Sequence, residues 1–199
     1  SGGLAYNNGN LYITSGWGEI ICLDSMSGKE KWKKYFGLPM RTAPTIWRGK
    51  LFVITVTNKL LTLSSVDGDE LWSHQSIDET TTILGGASPA VDNGVVVAAY
   101  SSGELVALKV ENGQQLWSDV LSSSGGPGSS TKLSVIKARP VIDRGLVFAI
   151  SNQGLLVSID IRTGRRVWTK TFGGIANPWV VGNLLYVISN SYELVALSR

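Results

Sequence analysis

One short sentence is written several times along this chain. Gly103–Trp117 reads G-E-L-V-A-L-K-V-E-N-G-Q-Q-L-W: an apolar run, a polar turn closed by glycine, and a second strand carrying tryptophan. That order is the signature of a β-hairpin. Gly18–Trp32, Asn58–Trp72 and Gly154–Trp168 repeat it, and Tyr192–Arg199 (Y-E-L-V-A-L-S-R) begins a fifth copy. The turn glycines Gly28, Gly68, Gly113 and Gly164 fall 40, 45 and 51 residues apart, and Trp32, Trp72, Trp117 and Trp168 each follow four residues later. Self-similarity at this period belongs to solenoids and propellers.

A second pattern precedes each hairpin. It reads A-P-T-I-W-R-G-K-L-F-V-I from Ala43, S-P-A-V-D-N-G-V-V-V-A from Ser88, R-P-V-I-D-R-G-L-V-F-A from Arg139 and N-P-W-V-V-G-N-L-L-Y-V from Asn177. Asn8–Ile13 is the first copy, without the proline. Proline suits the start of a strand, where its missing N–H is tolerated. Gly49, Gly94, Gly145 and Gly182 then mark tight turns into β-branched and aromatic runs. No segment sustains a 3.6-residue apolar period, so each unit is four short strands, A to D. In Leu105–Leu108 both alternating sets are apolar, which predicts a strand covered on both faces; an isolated antiparallel sheet would show a polar face. Radially stacked blades provide that cover. The expected fold is therefore all-β, a single β-propeller domain of four-stranded antiparallel blades.

The blades are placed at about 1–35, 38–75, 83–120, 134–171 and 172–199, the last supplying only strands A to C. A count of about five units with an incomplete last member predicts an arc of a larger ring. Ser122–Thr131 (S-S-S-G-G-P-G-S-S-T) and Thr80–Gly86 read as flexible loops between units.

Charge is thinly spread: 18 Lys and Arg against 15 Asp and Glu, a net +3. Lys29–Lys34 and Arg165–Arg166 read as solvated faces, and no basic run interleaves with aromatics, so nucleic acid is not the expected partner. Cys22 is the lone cysteine, set in the apolar run Ile20–Leu23, and neither an intrachain disulfide nor a Cys/His metal set can be written. His74, the lone histidine, reads as a surface or turn residue, with no G-x-S-x-G nucleophile motif beside it. No stretch is long enough for a transmembrane helix.

The repeated tryptophans suggest either a platform for a planar cofactor or a packing element between blades. Position favours packing, because a cofactor needs one or two aromatics at one site while these recur in every unit. Asp24 and Asp160, four residues before their turn glycines, are expected to receive backbone N–H groups. Asp67-Gly68-Asp69 is a turn and falls short of a calcium loop. Trp17, Trp47 and Trp179 lie outside the repeat position; Trp47, beside Arg48, reads as an exposed aromatic or as one packed under a loop.

The pattern G-x-L-x-A-L-D-x-x-T-G-x-x-x-W resembles the repeat of pyrroloquinoline-quinone (PQQ)-type propellers rather than the G-H…W-D signature of WD40 blades. Ser88–Asp119, Asp160–Trp168, Asn177–Val181 and the closing E-L-V-A-L-S-R are more closely similar to the BamB family of outer-membrane assembly lipoproteins, in its alphaproteobacterial form. That resemblance implies an eight-bladed ring continuing beyond Arg199, and a non-enzymatic scaffold without a cofactor. It implies a periplasmic location at the inner face of the outer membrane of a Gram-negative bacterium, held by a lipid anchor outside this chain. The implied partners are the periplasmic domains of BamA, other subunits of the assembly complex and unfolded outer-membrane protein clients. The matching interface stretch is Gly37–Pro44, with Leu38, Met40 and Arg41 as contact residues; its alternative reading is an ordinary connection between blades. Two other functions stand beside the scaffold. One is a PQQ- and calcium-dependent dehydrogenase, whose usual adjacent cysteine pair this chain does not carry; the other is a ligand-binding propeller of a sensor.

Overall fold

The computed structural model describes residues 2–76, 86–121 and 135–199. Ser122–Thr131 and Thr80–Gly86, expected as loops, lie outside the described residues apart from Gly86. The first sheet is β1 (Leu4–Asn7), β2 (Asn10–Thr14), β3 (Glu19–Asp24) and β4 (Glu30–Tyr35). The second is β5 (Thr45–Trp47), β6 (Lys50–Ile54), β7 (Lys59–Ser64) and β8 (Glu70–Gln75). The third is β9 (Ala90–Asp92), β10 (Val95–Ala99), β11 (Glu104–Lys109) and β12 (Gln115–Val120). The fourth is β13 (Val141–Asp143), β14 (Leu146–Ile150), β15 (Leu155–Asp160) and β16 (Arg166–Thr171). A three-stranded sheet follows: β17 (Trp179–Val181), β18 (Leu184–Ile188) and β19 (Leu194–Ser198). Every sheet is an antiparallel meander in chain order.

Hairpin chemistry explains the meander. Asn8-Gly9, Arg48-Gly49, Asn93-Gly94 and Arg144-Gly145 all have positive φ at both positions, as a two-residue type I′ turn requires. Between strands C and D the chain is held by a side chain. Asp24 Oδ1 accepts from the N–H of Met26 (3.1 Å), the N–H of Ser27 (2.9 Å) and the Ser27 hydroxyl (2.8 Å). Asp160 does the same for Arg162 and Thr163. Those donors, Ser27 N–H foremost, hold the Asp24 carboxyl at about 2, because hydrogen bonds to the charged form favour it.

Strand A of each sheet touches strand A of the next, from β1 through β5, β9 and β13 to β17. The A strands are therefore innermost and the D strands outermost, and the sheets stack face to face as blades. One apolar core fills each gap between neighbours. The alternation along β11 shows how: Val106 and Leu108 join Phe52, Ile54 and Leu60 of the second blade, whereas Leu105 and Ala107 join Val147, Ala149, Val157 and Ile159 of the fourth. Successive side chains of a strand point to opposite faces, so a strand apolar at every position is the sequence form of a blade covered on both sides.

Tryptophan and glycine lock adjacent blades. Trp32 Nε1 donates to the Ser65 carbonyl (3.2 Å), Trp72 Nε1 to the Val110 carbonyl (3.1 Å) and Trp117 Nε1 to the Ile161 carbonyl (2.7 Å). Each indole also lies on the turn glycine of the next blade. A Cβ added at Gly68, Gly113 or Gly164 would fall 2.6–2.7 Å from ring atoms of Trp32, Trp72 and Trp117 respectively. Trp168 packs on Phe148, with ring centroids 6.0 Å apart.

Candidate protein-docking site

Antiparallel strands divide the turns between two faces. The A–B and C–D turns, with the Trp–Gly locks, occupy one; the B–C turns and the connections from D to the next A occupy the other. Gly37–Pro44 is such a connection. It leaves β4 through Gly37, whose φ is +70, and is fastened at several points. Phe36 N–H donates to the Gly18 carbonyl (2.8 Å), Met40 N–H to the Ser15 carbonyl (3.1 Å) and Val56 N–H to the Pro39 carbonyl (2.9 Å). The Thr14 hydroxyl donates to the Thr42 carbonyl (2.7 Å), and Met40 forms an isolated antiparallel bridge with Thr55. Backbone pinned in this way presents its outward side chains at little further entropic cost.

The three expected contact residues separate. Leu38 is half-buried and Arg41 is exposed. Met40 is 0% exposed and packs with Tyr12, Ile20, Leu51, Val53 and Leu61 in the core between the first two blades. The structure thus does not bring Met40 to the surface beside Leu38 and Arg41. The bridge to Thr55 turns the chain so that Met40 and Thr42 face inward and Arg41 outward. Among the described residues Arg41 has no ion-pair partner, whereas nearby Lys33 is neutralised by Glu19 (2.6 Å).

Other singled-out residues stand elsewhere. Trp47 is half-buried against the second-to-third blade core and carries the Arg48 guanidinium 4.6 Å above its ring, a cation–π contact. His74 Nδ1 is 3.1 Å from the hydroxyl of the buried Tyr100, across the same blade gap; burial pushes the Tyr100 phenol far above its ordinary value. Cys22 is buried, and desolvation raises its thiol. Among the described residues no group of three or more His, Cys, Asp or Glu side chains is placed to hold a metal ion. Trp179 is exposed beside Arg139 and Pro140 in an open cleft of about 400 Å³ on the inner strands.

The residue that the sequence does not pick out at this site is Trp17. It is 83% exposed, in the B–C turn Ser15–Gly18, directly against the Gly37–Pro44 connection. A Cβ added at Gly18 would lie 2.8 Å from Leu38 N.

Stacked four-stranded blades with A strands innermost, joined by a Trp–Gly lock at a fixed place in the repeat, define a β-propeller of PQQ-type blades. The chain belongs to the family described as outer membrane protein assembly factor BamB, whose profile matches residues 1–199. An uncharacterised protein of Rickettsia prowazekii is 29% identical over 202 residues, covering 99% of this chain and 48% of the relative. The outer membrane protein assembly factor BamB of Moranella endobia is 22% identical over 197 residues, covering 99% of this chain and 51% of its own length. The chain thus spans about half the length of these relatives. Among solved structures, BamB from Moraxella catarrhalis superposes with a TM-score of 0.87 at 22% identity, covering all of this chain and 60% of that one. A quinohemoprotein alcohol dehydrogenase from Comamonas testosteroni reaches 0.79 at 13% identity, over all of this chain and 41% of that one. At such identities these likenesses describe the fold.

Proposed function

We propose that this chain is a non-enzymatic docking module of the machinery that assembles β-barrels in the outer membrane, working on the periplasmic side. In this reading its blades, with boundaries near 1–35, 38–75, 83–120, 134–171 and 172–199, form part of an eight-bladed ring. The ring binds the periplasmic domains of BamA through Leu38 and Arg41, and Met40 acts from the core as the anchor that fixes their direction.

The observation that carries this is Arg41: an exposed guanidinium, without an ion-pair partner among the described residues, on backbone fastened to two neighbouring turns. Folding does not need a charge there, and arginine in a fixed geometry is a common anchor of protein interfaces. The family match supports the choice of machinery. The test is a titration of the protein against the periplasmic domains of BamA, repeated with Arg41→Glu. Reversing the charge should weaken binding at least about tenfold, a loss of about 1.4 kcal/mol, with unchanged thermal unfolding. Equal affinity from a normally folded variant would remove Arg41 from the interface.

A further inference from the structure

Trp17 occupies a position that the other blades fill with a polar residue. The five B–C turns begin Ser15-Gly16-Trp17-Gly18, Thr55-Val56-Thr57-Asn58, Tyr100-Ser101-Ser102-Gly103, Ser151-Asn152-Gln153-Gly154 and Ser189-Asn190-Ser191-Tyr192. In four of them the first hydroxyl accepts the N–H four residues on: Ser15 from Glu19 (3.1 Å), Thr55 from Lys59 (3.2 Å), Ser151 from Leu155 (3.2 Å) and Ser189 from Glu193 (3.1 Å). The turn is closed by that hydroxyl; at the third place the Thr57 and Ser191 hydroxyls bond to it (2.9 Å each), and in the third blade the Ser102 hydroxyl accepts the Glu104 N–H (3.4 Å). Threonine, serine, glutamine and serine fill the place in the other blades. Only the first blade puts an indole there, and leaves it 83% exposed.

Its surroundings select the use. The Trp17 turn and the Gly37–Pro44 connection are joined by the Phe36–Gly18 and Met40–Ser15 backbone bonds. Trp17, Leu38 and Arg41 therefore stand on one rigid piece of backbone. Tryptophan, tyrosine and arginine are the residue types that dominate binding energy at interfaces, and a buried indole removes about 150–250 Å² from water. A cation without an ion-pair partner among the described residues, on the same backbone unit as an exposed indole, complements a surface with a carboxylate next to an apolar pocket.

We propose that Trp17 is the apolar anchor of the docking site proposed above, inserting into the same partner that Arg41 engages. This rests on that reading and names the contact that supplies most of its affinity. The test uses the full chain and the BamA periplasmic domains, with Trp17→Ser, Arg41→Glu and wild type titrated in parallel. Serine is what the third and fifth blades carry, so the variant should melt with wild type. The expected result is at least a thirtyfold loss of affinity for Trp17→Ser, and a tryptophan emission blue shift on binding that wild type shows and the variant loses. Wild-type binding weakened by Arg41→Glu but unchanged by Trp17→Ser would overturn the role of Trp17 and leave the docking loop standing. No binding by wild type would overturn both.

Discussion

Adding one methyl group at two equivalent turn glycines should separate the cost of backbone conformation from the cost of the inter-blade lock. Gly28 and Gly164 close the same C–D turn with φ of +69 and +71, so alanine pays the same left-handed penalty at each, about 1–2 kcal/mol. Their surroundings differ. The new Cβ at residue 28 meets nothing within 4 Å, while at residue 164 it falls 2.6 Å from Trp117 Cγ and 2.7 Å from Trp117 Cβ. No rotamer change moves Cβ, and a χ1 change large enough to carry Cγ away would break the Trp117 Nε1 bond to Ile161. The indole must retreat about 1 Å to restore van der Waals separation, which strains the 2.7 Å bond from Trp117 Nε1 to Ile161. Overpacking of this kind costs about 1–3 kcal/mol, and the weakened hydrogen bond adds about 1 kcal/mol. Gly164→Ala should therefore be about 3 kcal/mol less stable than Gly28→Ala, a gap of about 6–12 °C in melting temperature for a chain of this size. Urea denaturation of the two variants measures the difference directly. In a Trp117→Ala background the excess cost at residue 164 should shrink without vanishing, since alanine removes Cγ and the ring but keeps the Cβ that stands 2.7 Å from the new methyl. Equal losses from the two glycine variants would refute the lock.

Two further outcomes test individual side chains. Asp24 has a depressed folded-state pKa, so its turn hydrogen bonds are fully present above the ordinary value of 3.8 and are lost as pH falls through about 2; amide exchange at Met26 and Ser27 should accelerate in that window, and Asp24→Asn should flatten the response, whereas exchange that is insensitive to pH beyond the intrinsic rate would contradict the capping geometry. Among the described residues Thr62 Oγ1 is buried without a hydrogen-bond partner, and Thr62→Val, which keeps the shape and removes the stranded hydroxyl, should raise stability by about 1 kcal/mol in the same urea assay; a destabilisation would mean that the hydroxyl has a partner in solution.

The blades were legible because their physics is local and periodic. Leu105–Leu108 announces a strand covered on both faces, Asn93-Gly94 a primed turn, and the Gly113 to Trp117 spacing a hairpin with a fixed ending. What the spacing does not reveal is where each tryptophan goes. Its partner is the glycine of the following blade, Trp72 on Gly113 and Trp117 on Gly164, a contact made by stacking sheets rather than by extending a strand. Arg48 and Arg144 take the left-handed position where asparagine stands in the first and third blades, so their turns are read from the neighbouring glycine alone. Gly37–Pro44 was hardest, because a connection has no alternation from which to tell inside from outside. Met40 faces inward where its backbone is held by Thr55 of the second blade and Ser15 of the first, contacts distant in sequence.

The same division explains how such a repeat accommodates recognition. On the face of the A–B and C–D turns, a change meets the lock: every residue between Asp160 and Gly164 is tied either to Asp160 or to Trp117. On the opposite face, each B–C turn closes on the hydroxyl of its first residue or, in the third blade, on the backbone bond from Gly103 N–H to the Tyr100 carbonyl. The third position points outward and adds at most a hydrogen bond within the turn, and the adjoining D–A connection is fixed by backbone contacts rather than by its exposed side chains. Side chains such as Trp17 and Arg41 can change there without disturbing any of the four cores. An exposed tryptophan where the other blades carry threonine, serine or glutamine is therefore what the docking proposal rests on, whereas the repeated tryptophans, more prominent in the sequence, serve packing.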